Sequence, residues 1–203
     1  MKFNQEKIGN CAVVFNGKTP SKREQRQSGK PILKIKDINE NGKFLNDLSS
    51  YVDDLFYKKY AKKALNGGDT LILNAAHSSK YVGSKTHFVA ESLDDVIPTG
   101  EWLVVRPKKD IVNPKYLNIC IISSKGKHEI RKIVKGIHLY PKDVEKIKIY
   151  LPPLSTQIRI ATLLSRPEGL IATRKESISL LDELLKSTFL EMFGDPKNNP
   201  NKF

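Results

Sequence analysis

Two adjacent prolines, Pro152 and Pro153, divide this chain into segments of different hydrophobic period. Before them, apolar residues come in short runs or at period two, the spacing of strands. After them they recur at steps of three and four, the spacing of a helix face. Proline fixes φ and has no N–H, so the pair closes the last strand. The expected fold is α+β: a strand-rich globular domain over residues 1–153, a helical region over 154–194, and a polar tail or linker over 195–203.

Within the first segment, CAVVF (11–15) is a short apolar run, and Asn16-Gly17 after it has tight-turn chemistry. PILKIKDI (31–38) sets Ile32, Leu33, Ile35 and Ile38 against Lys34, Lys36 and Asp37, which predicts a half-buried strand. Asn41-Gly42 marks another turn. Residues 49–68 have helical spacing through Val52, Leu55, Phe56, Tyr60 and Leu65, with Gly67 and Gly68 as the stop. Strands are predicted at DTLILNA (69–75), EWLVVRP (101–107) and IKIYL (147–151). NPKYLNICIIS (113–123) reads as a helix opened by a proline.

Past the prolines, Ser155 or Thr156 can cap a short helix. Ser165-Arg166-Pro167-Glu168 then has the form of a capping box with proline in the first turn, which predicts a second helix running to about Phe193. Ile171, Ile178, Leu181, Leu185 and Met192 fall on alternating three- and four-residue steps, with Arg174 and Thr188 in the remaining places. Leu180, Leu184 and Phe189 widen the stripe. Such a helix packs along its length on a partner helix or back on its own domain.

Charge distinguishes the two segments as well. The net charge is +13, which calls for a polyanionic partner, nucleic acid before an anionic membrane. Residues 106–148 hold twelve Lys or Arg against four Asp or Glu, and residues 1–50 hold ten against five; residues 168–193 hold three against five. The basic surplus therefore belongs to the strand-rich part. No run of about 18 apolar residues is present, so no bilayer-spanning helix is expected. The N-terminus lacks the apolar stretch of a secretory signal. Cys11 and Cys120 form neither a disulfide framework nor a zinc ribbon, and the expected compartment is the reducing cytoplasm.

No catalytic set stands out. There is no GxxxxGK[ST] loop and no GxGxxG loop after a strand. Asn113-Pro114-Lys115-Tyr116 has the outline of an amino-methyltransferase tetrapeptide, but Lys115 replaces its second proline, and the segment reads as a helix start. Asp53-Asp54 and Asp94-Asp95 lack a third acidic group at nuclease spacing. His77, His87, His128 and His138 have no ligand spacing. No cofactor and no metal are expected.

Three segments remain, each suited to DNA. In 16–30, Lys18, Lys22, Arg23, Arg26 and Lys30 can neutralise phosphates, and Thr19 and Ser21 can bond to them. In 74–87, Asn74, His77, Ser78, Ser79, Lys80, Tyr81 and Lys85 can reach base edges or backbone, and Asn74 has the donor–acceptor pair that matches adenine. In 123–136, Lys125, Lys127, His128, Arg131, Lys132 and Lys135 add a third basic loop.

Ordered motifs give these segments a family context. VVFNGKTPSK (13–22) with GKPILKIKDINENGKF (29–44) resembles the entry to a target-recognition domain of type I restriction-modification specificity subunits. NGGDTLILN (66–74) is similar to that family's Gly-Asp-strand element. GIHLYPKDVEKIKIYLPPLSTQIRIATLL (136–164) resembles its closing signature, a strand, Leu-Pro-Pro-Leu and a helix opened by glutamine. SISLLDELLKSTFLEMFGDP (177–196) resembles its spacer helix. Two details depart from the pattern: Thr156 replaces an acidic residue, and Arg166-Pro167 sits where the family runs on as helix, so a kink or break is expected there.

The resemblance implies a chain without chemistry of its own. Its one recognition domain would read half of a split target on double-stranded DNA. Its spacer helix would pair antiparallel with an equivalent helix as a coiled coil. With ~26 helical residues at 1.5 Å each, that helix would span about 39 Å, near one turn of duplex DNA. Methyltransferase subunits would bring S-adenosylmethionine, and a restriction subunit ATP and magnesium. Full family members carry two recognition domains and two spacers, whereas this sequence has one of each, so it is expected to be a half-subunit that dimerises or the N-terminal portion of a longer chain. Two other readings stay open: the recognition part of a fused restriction-methylation enzyme, and a basic adaptor without sequence preference. An independent nuclease is a distant further one.

Overall fold

The structure is a computed structural model, and it describes residues 4–194 apart from the side chains of residues 91, 166–173, 175 and 176. It is an α+β fold that divides into two compact units, residues 1–161 and 162–203.

The first unit opens with β1 (Gln5–Lys7), α1 (Ile8–Cys11) and β2 (Ala12–Asn16), followed by β3 (Gln25–Arg26) and β4 (Lys30–Leu33). Then come β5 (Tyr51–Val52), α2 (Asp54–Tyr60), β6 (Thr70–Leu73), β7 (Thr86–Phe88), β8 (Ile97–Pro98) and β9 (Trp102–Pro107). Three helices, α3 (Pro114–Ile122), α4 (Ser124–Ile133) and α5 (Pro141–Val144), precede β10 (Lys148–Tyr150) and α6 (Leu154–Phe193).

The central sheet has strand order β2-β9-β6-β7 and is antiparallel throughout. Both of its faces are covered, so its middle strands are buried on successive positions rather than alternate ones, Arg106 excepted. Ile72, Leu103 and Val105 point to one side, where α1, α3, α4, α5 and the first turns of α6 pack through Cys11, Leu117, Ile121, Ile130, Val144 and Ala161. Leu71, Leu73, Trp102 and Val104 point to the other, against Leu33, Ile38, Leu65, Val89 and Leu93. A third small core of Ile32, Val52, Phe56, Ala64 and Ile97 lies beneath α2. There β3, β5, β4 and β8 form a second sheet, with β4 and β8 parallel. β1 pairs antiparallel with β10, joining the start of the unit to its end.

Several elements differ from the sequence expectation. Asn16-Gly17 is no hairpin turn, since neither residue has a positive φ. Glycine is needed because a Cβ at Gly17 would stand 2.2 Å from the Pro98 carbonyl oxygen. The strand expected over 31–38 stops at Leu33, and a 3-10 turn, Ile35–Asp37, follows; the Asp37 carboxylate accepts from the Lys34 N–H at 2.6 Å and holds the turn. The helix expected over 49–68 shrinks to α2, because the Asp53 carboxylate caps it by accepting from the Phe56 N–H at 2.8 Å, and Tyr51–Val52 are drawn into the second sheet. The basic loop at 123–136 is mostly helix, α4, capped by the Ser123 hydroxyl accepting from the Gly126 N–H.

The largest correction concerns α6. It begins one residue after Pro153, whose carbonyl accepts from both Thr156 and Gln157, so Ser155 and Thr156 lie inside the first turn and do not cap it. It then runs unbroken for 40 residues. The Ser165–Glu168 capping box therefore starts no new helix. Pro167 removes one backbone donor, at a cost of about 3 kcal/mol, and the helix continues through it. Gly194 ends it in the left-handed region, φ 76°, with its N–H on the Leu190 carbonyl. Among the described residues no helix is long and apolar enough to cross a membrane.

Candidate nucleic-acid interface

The candidate residues gather at one end of the central sheet, where β2 and β6 leave it and β9 enters. Asn16 lies opposite Leu103 and Leu73 opposite Trp102, so the loops after β2 and β6 emerge side by side. Asn74 ties them together. Its side chain is buried, and its Nδ2 donates to the Asn16 Oδ1 at 3.1 Å and to the Gly100 carbonyl at 3.0 Å. Next to it, the Gly100 N–H donates to the Thr19 Oγ1 at 2.9 Å, which seats the start of the 16–30 segment on the turn before β9. The expectation that Asn74 reads adenine is therefore corrected: both amide hydrogens are spent inside the fold.

Lys85 is corrected on similar grounds. It is 6% exposed, and its Nζ donates to the Ile38 carbonyl at 2.9 Å and pairs with Glu40 at 2.9 Å. Thr19 and Ser21 keep structural partners, since the Ser21 hydroxyl and N–H both donate to the Glu24 carboxylate and hold it below the usual carboxylate range. Asp53 receives Arg26 at 2.8 Å, so one of the predicted phosphate-binding cations is already paired.

Lys18, Lys22, Arg23 and Lys30 remain exposed. Lys18 stands 5.3 Å over the ring of Tyr60, and Lys30 stands 5.0 Å over that of Tyr57. These contacts lay the 16–30 segment along α2, whose last turn adds Lys58 and Lys59. Those two lysines escaped the sequence reading because the predicted helix was read only for its apolar face. Lys63 is drawn inward. Its ammonium is bonded to the Asn16 carbonyl, and burial together with the Lys18 charge pushes its pKa down.

The 74–87 segment presents His77, Ser79, Lys80 and Tyr81 to solvent, with Ser78 half-buried. A short 3-10 turn, Ser79–Tyr81, shapes it, and Lys80 stands 4.9 Å over Tyr81. Its concave side forms a groove with Ile35, Glu40, Ala75, Ala76, Ser84 and Glu101. His87 is turned away: its Nδ1 donates to the Gly42 carbonyl at 2.8 Å, and burial lowers its pKa.

The third basic segment is only partly at this end. Ile130 of α4 lies against Gly83, and Ala75 forms a bridge with His138. Exposed Arg131 is thus beside the 74–87 loop. Lys125 is six residues earlier on the helix, about 9 Å along its axis, and stands 4.5 Å over Tyr150 near β10; Lys127 is half-buried. Lys132 and Lys135 are paired with Glu129 and Asp143. The three segments do not form one surface: the first two share the sheet end, and α4 contributes its C-terminal turn. Among the described residues no group of acidic, histidine or cysteine side chains is arranged to hold a metal ion.

Gln157 joins this unit to α6. It is 1% exposed, its Oε1 accepts from the Asn113 N–H at 2.9 Å, and its Nε2 donates to the Pro152 carbonyl at 2.8 Å and to that of Ile111 at 3.2 Å. The glutamine that opens the helix is thereby a lock between the helix start and α3.

The family model for the type I restriction modification DNA specificity domain matches residues 2–181. The chain belongs to this family. A specificity subunit of the putative type I restriction enzyme MjaX from Methanocaldococcus jannaschii is 28% identical over 186 residues, 89% of this chain and 43% of that protein. The HindI specificity subunit of Haemophilus influenzae is 26% identical over 161 residues, 76% of this chain and 34% of that protein. This specificity domain thus spans less than half the length of either relative. The fold is shared with a chain from a type I R-M assembly structure (TM-score 0.62, 18% identity, 92% of this chain and 43% of that one). It is shared also with the HsdS subunit from Thermoanaerobacter tengcongensis (TM-score 0.57, 20% identity, 96% and 50%).

Proposed function

We propose that this specificity domain reads one half of a bipartite double-stranded DNA target and serves a type I restriction-modification complex whose other subunits do the chemistry. The observation that carries this is the Asn74 tie, which brings two basic, hydroxyl-rich loops to one sheet end on a rigid scaffold. Exposed lysines along α2 and the 16–30 segment supply phosphate neutralisation, and the His77–Tyr81 segment supplies groups able to meet base edges.

α6 is the proposed assembly element. Ile178, Leu181, Leu185 and Met192 are each 58–68% exposed, an apolar seam at coiled-coil spacing; the side chain of Ile171, the seam's other expected member, lies outside the described residues. The seam pairs antiparallel with the equivalent helix of a second half, here a second copy of the chain, and the pair is the frame on which methyltransferase and restriction subunits dock. At 1.5 Å per residue the 40-residue helix is about 60 Å long, longer than the 39 Å expected from a helix starting at Ser165.

Selection from a randomised duplex DNA pool, with a methyltransferase subunit present, tests this. A split inverted repeat is the expected product of a symmetric dimer. One short half-site would mean that the second half lies elsewhere. Salt-sensitive binding with no enriched sequence would replace the proposal with a basic adaptor.

A further inference from the structure

Lys135 and His138 face each other in a single antiparallel rung, N–H to carbonyl distances 2.9 and 3.0 Å, with only Gly136 and Ile137 between them. Gly136 has φ 59° and Ile137 is not left-handed, the pattern of a type II′ hairpin turn. The turn is anchored at its base. Leu139 is buried in the main core, its N–H donates to the Asn74 carbonyl at 2.9 Å, and Lys135 pairs with Asp143 at 2.6 Å. The residue that ties the two DNA-facing loops therefore also holds this hairpin, and Ala75 bridges to His138 at the foot of the His77–Tyr81 loop.

The tip itself projects. A Cβ at Gly136 would meet nothing within 4 Å, and Ile137 is 44% exposed. Tyr140 is 47% exposed beside it, with its ring 6.2 Å from that of His138. Hairpin tips ordinarily carry Asn, Asp or Gly. Ile137 belongs to none of the three apolar clusters. The major groove of B-DNA admits elements as wide as a two-stranded ribbon, wider than this single-rung turn, and there the thymine C5-methyl is the apolar mark that side chains read.

We propose that Ile137 is a specificity-determining residue that contacts the C5-methyl of a thymine in the major groove. This rests on the reading of the sheet end as a DNA interface. Tyr140 and His138 flank the contact and exclude water from it, and Lys80 and Arg131 provide neighbouring positive charge.

The test uses the full chain and the duplex it selects from a random pool. Thymines in that duplex are replaced one at a time by deoxyuridine, which lacks only the methyl. At one position the replacement is expected to weaken binding about fourfold, the worth of burying one methyl group. Ile137→Ala is expected to bind the thymine and deoxyuridine duplexes equally at that position while melting like the parent, and Ile137→Val to retain part of the difference. Unchanged thymine preference in Ile137→Ala, or indifference of the parent to deoxyuridine at every position, would overturn the inference and leave the DNA-reading function standing. A parent that selects no sequence would overturn both.

Discussion

Leu103 and Leu181 are the same residue type in two settings, one fully buried and the other 58% exposed. The unit up to Ala161 buries three apolar clusters because its layers close on each other: helices, central sheet, and the second sheet with α2. The described part of the unit from Thr162 is one helix, and a lone helix cannot bury a stripe of its own. Its apolar stripe is as regular as any in the first unit, yet Ile178, Leu180, Leu181, Leu184 and Leu185 all stand in solvent. Pattern decides which residues share a face, and only a second surface can bury that face.

The most direct way to break this comparison is to charge the exposed stripe. Leu181→Glu with Leu185→Glu is expected to weaken self-association at least a hundredfold, because each buried leucine contributes about 1.5–3 kcal/mol. Light scattering over a concentration series reads it. Fluorescence of Trp102, the single tryptophan, should report an unchanged melting transition for the first unit. Equal masses for parent and variant would show that the stripe is not the contact.

The reverse experiment strikes the first unit alone. Asp69 is 1% exposed and takes Arg106 through a forked contact, with Nε at 3.0 Å from Oδ1 and NH2 at 2.7 Å from Oδ2, while Phe15 lies under the guanidinium. Asp69→Asn leaves that cation without its anion and is expected to cost about 3–5 kcal/mol. The tryptophan transition should move down while the helix signal of α6 persists. A coincident loss of both would show that the two units melt as one.

A smaller effect comes from pH. Burial raises the Cys11 thiol from 9.0 to about 11 and shifts Cys120 and Tyr116 upward as well. The folded state thus favours the protonated forms, so their contribution is complete below pH 9 and fades as pH rises toward 11. Residues 162–203 contain no cysteine and no tyrosine. Raising pH through this window should therefore lower the tryptophan transition alone, and Cys11→Ala should reduce the slope.

Much of this was legible in the sequence, for identifiable reasons. Strands β6 and β9 announced themselves as apolar runs because local composition and burial agree there. The helix start read at 113–116 is there as α3, with Asn113 capping it by accepting from the Tyr116 N–H at 3.1 Å. What failed was chemistry whose outcome depends on distant neighbours. Asn16-Gly17 has turn chemistry, but the carbonyls of Pro98 and Thr99 press on it from across the fold. Asn74 and Lys85 have groups suited to DNA, but tertiary partners claim them. Ser165–Glu168 has a capping signature, but a cap requires the chain before it to leave the helix, and here that chain is already helical. The turn at 135–138 was read as part of a family signature, and its projecting Ile137 becomes visible only with Leu139 buried beside it.

The Asn74 tie has a consequence for how this surface can change. It grips the loops at their feet, through Asn16 and Gly100, while the 16–30 loop is held again further along by Arg26 on Asp53 and by the pairing of β3 with β5. Residues 77–81, whose described hydrogen bonds stay within their own turn, can therefore be exchanged as a cassette between fixed end points, whereas 18–30 carries scaffold contacts of its own. If the sheet end reads DNA as proposed, a protein built this way acquires new addresses by splicing text between the same two brackets.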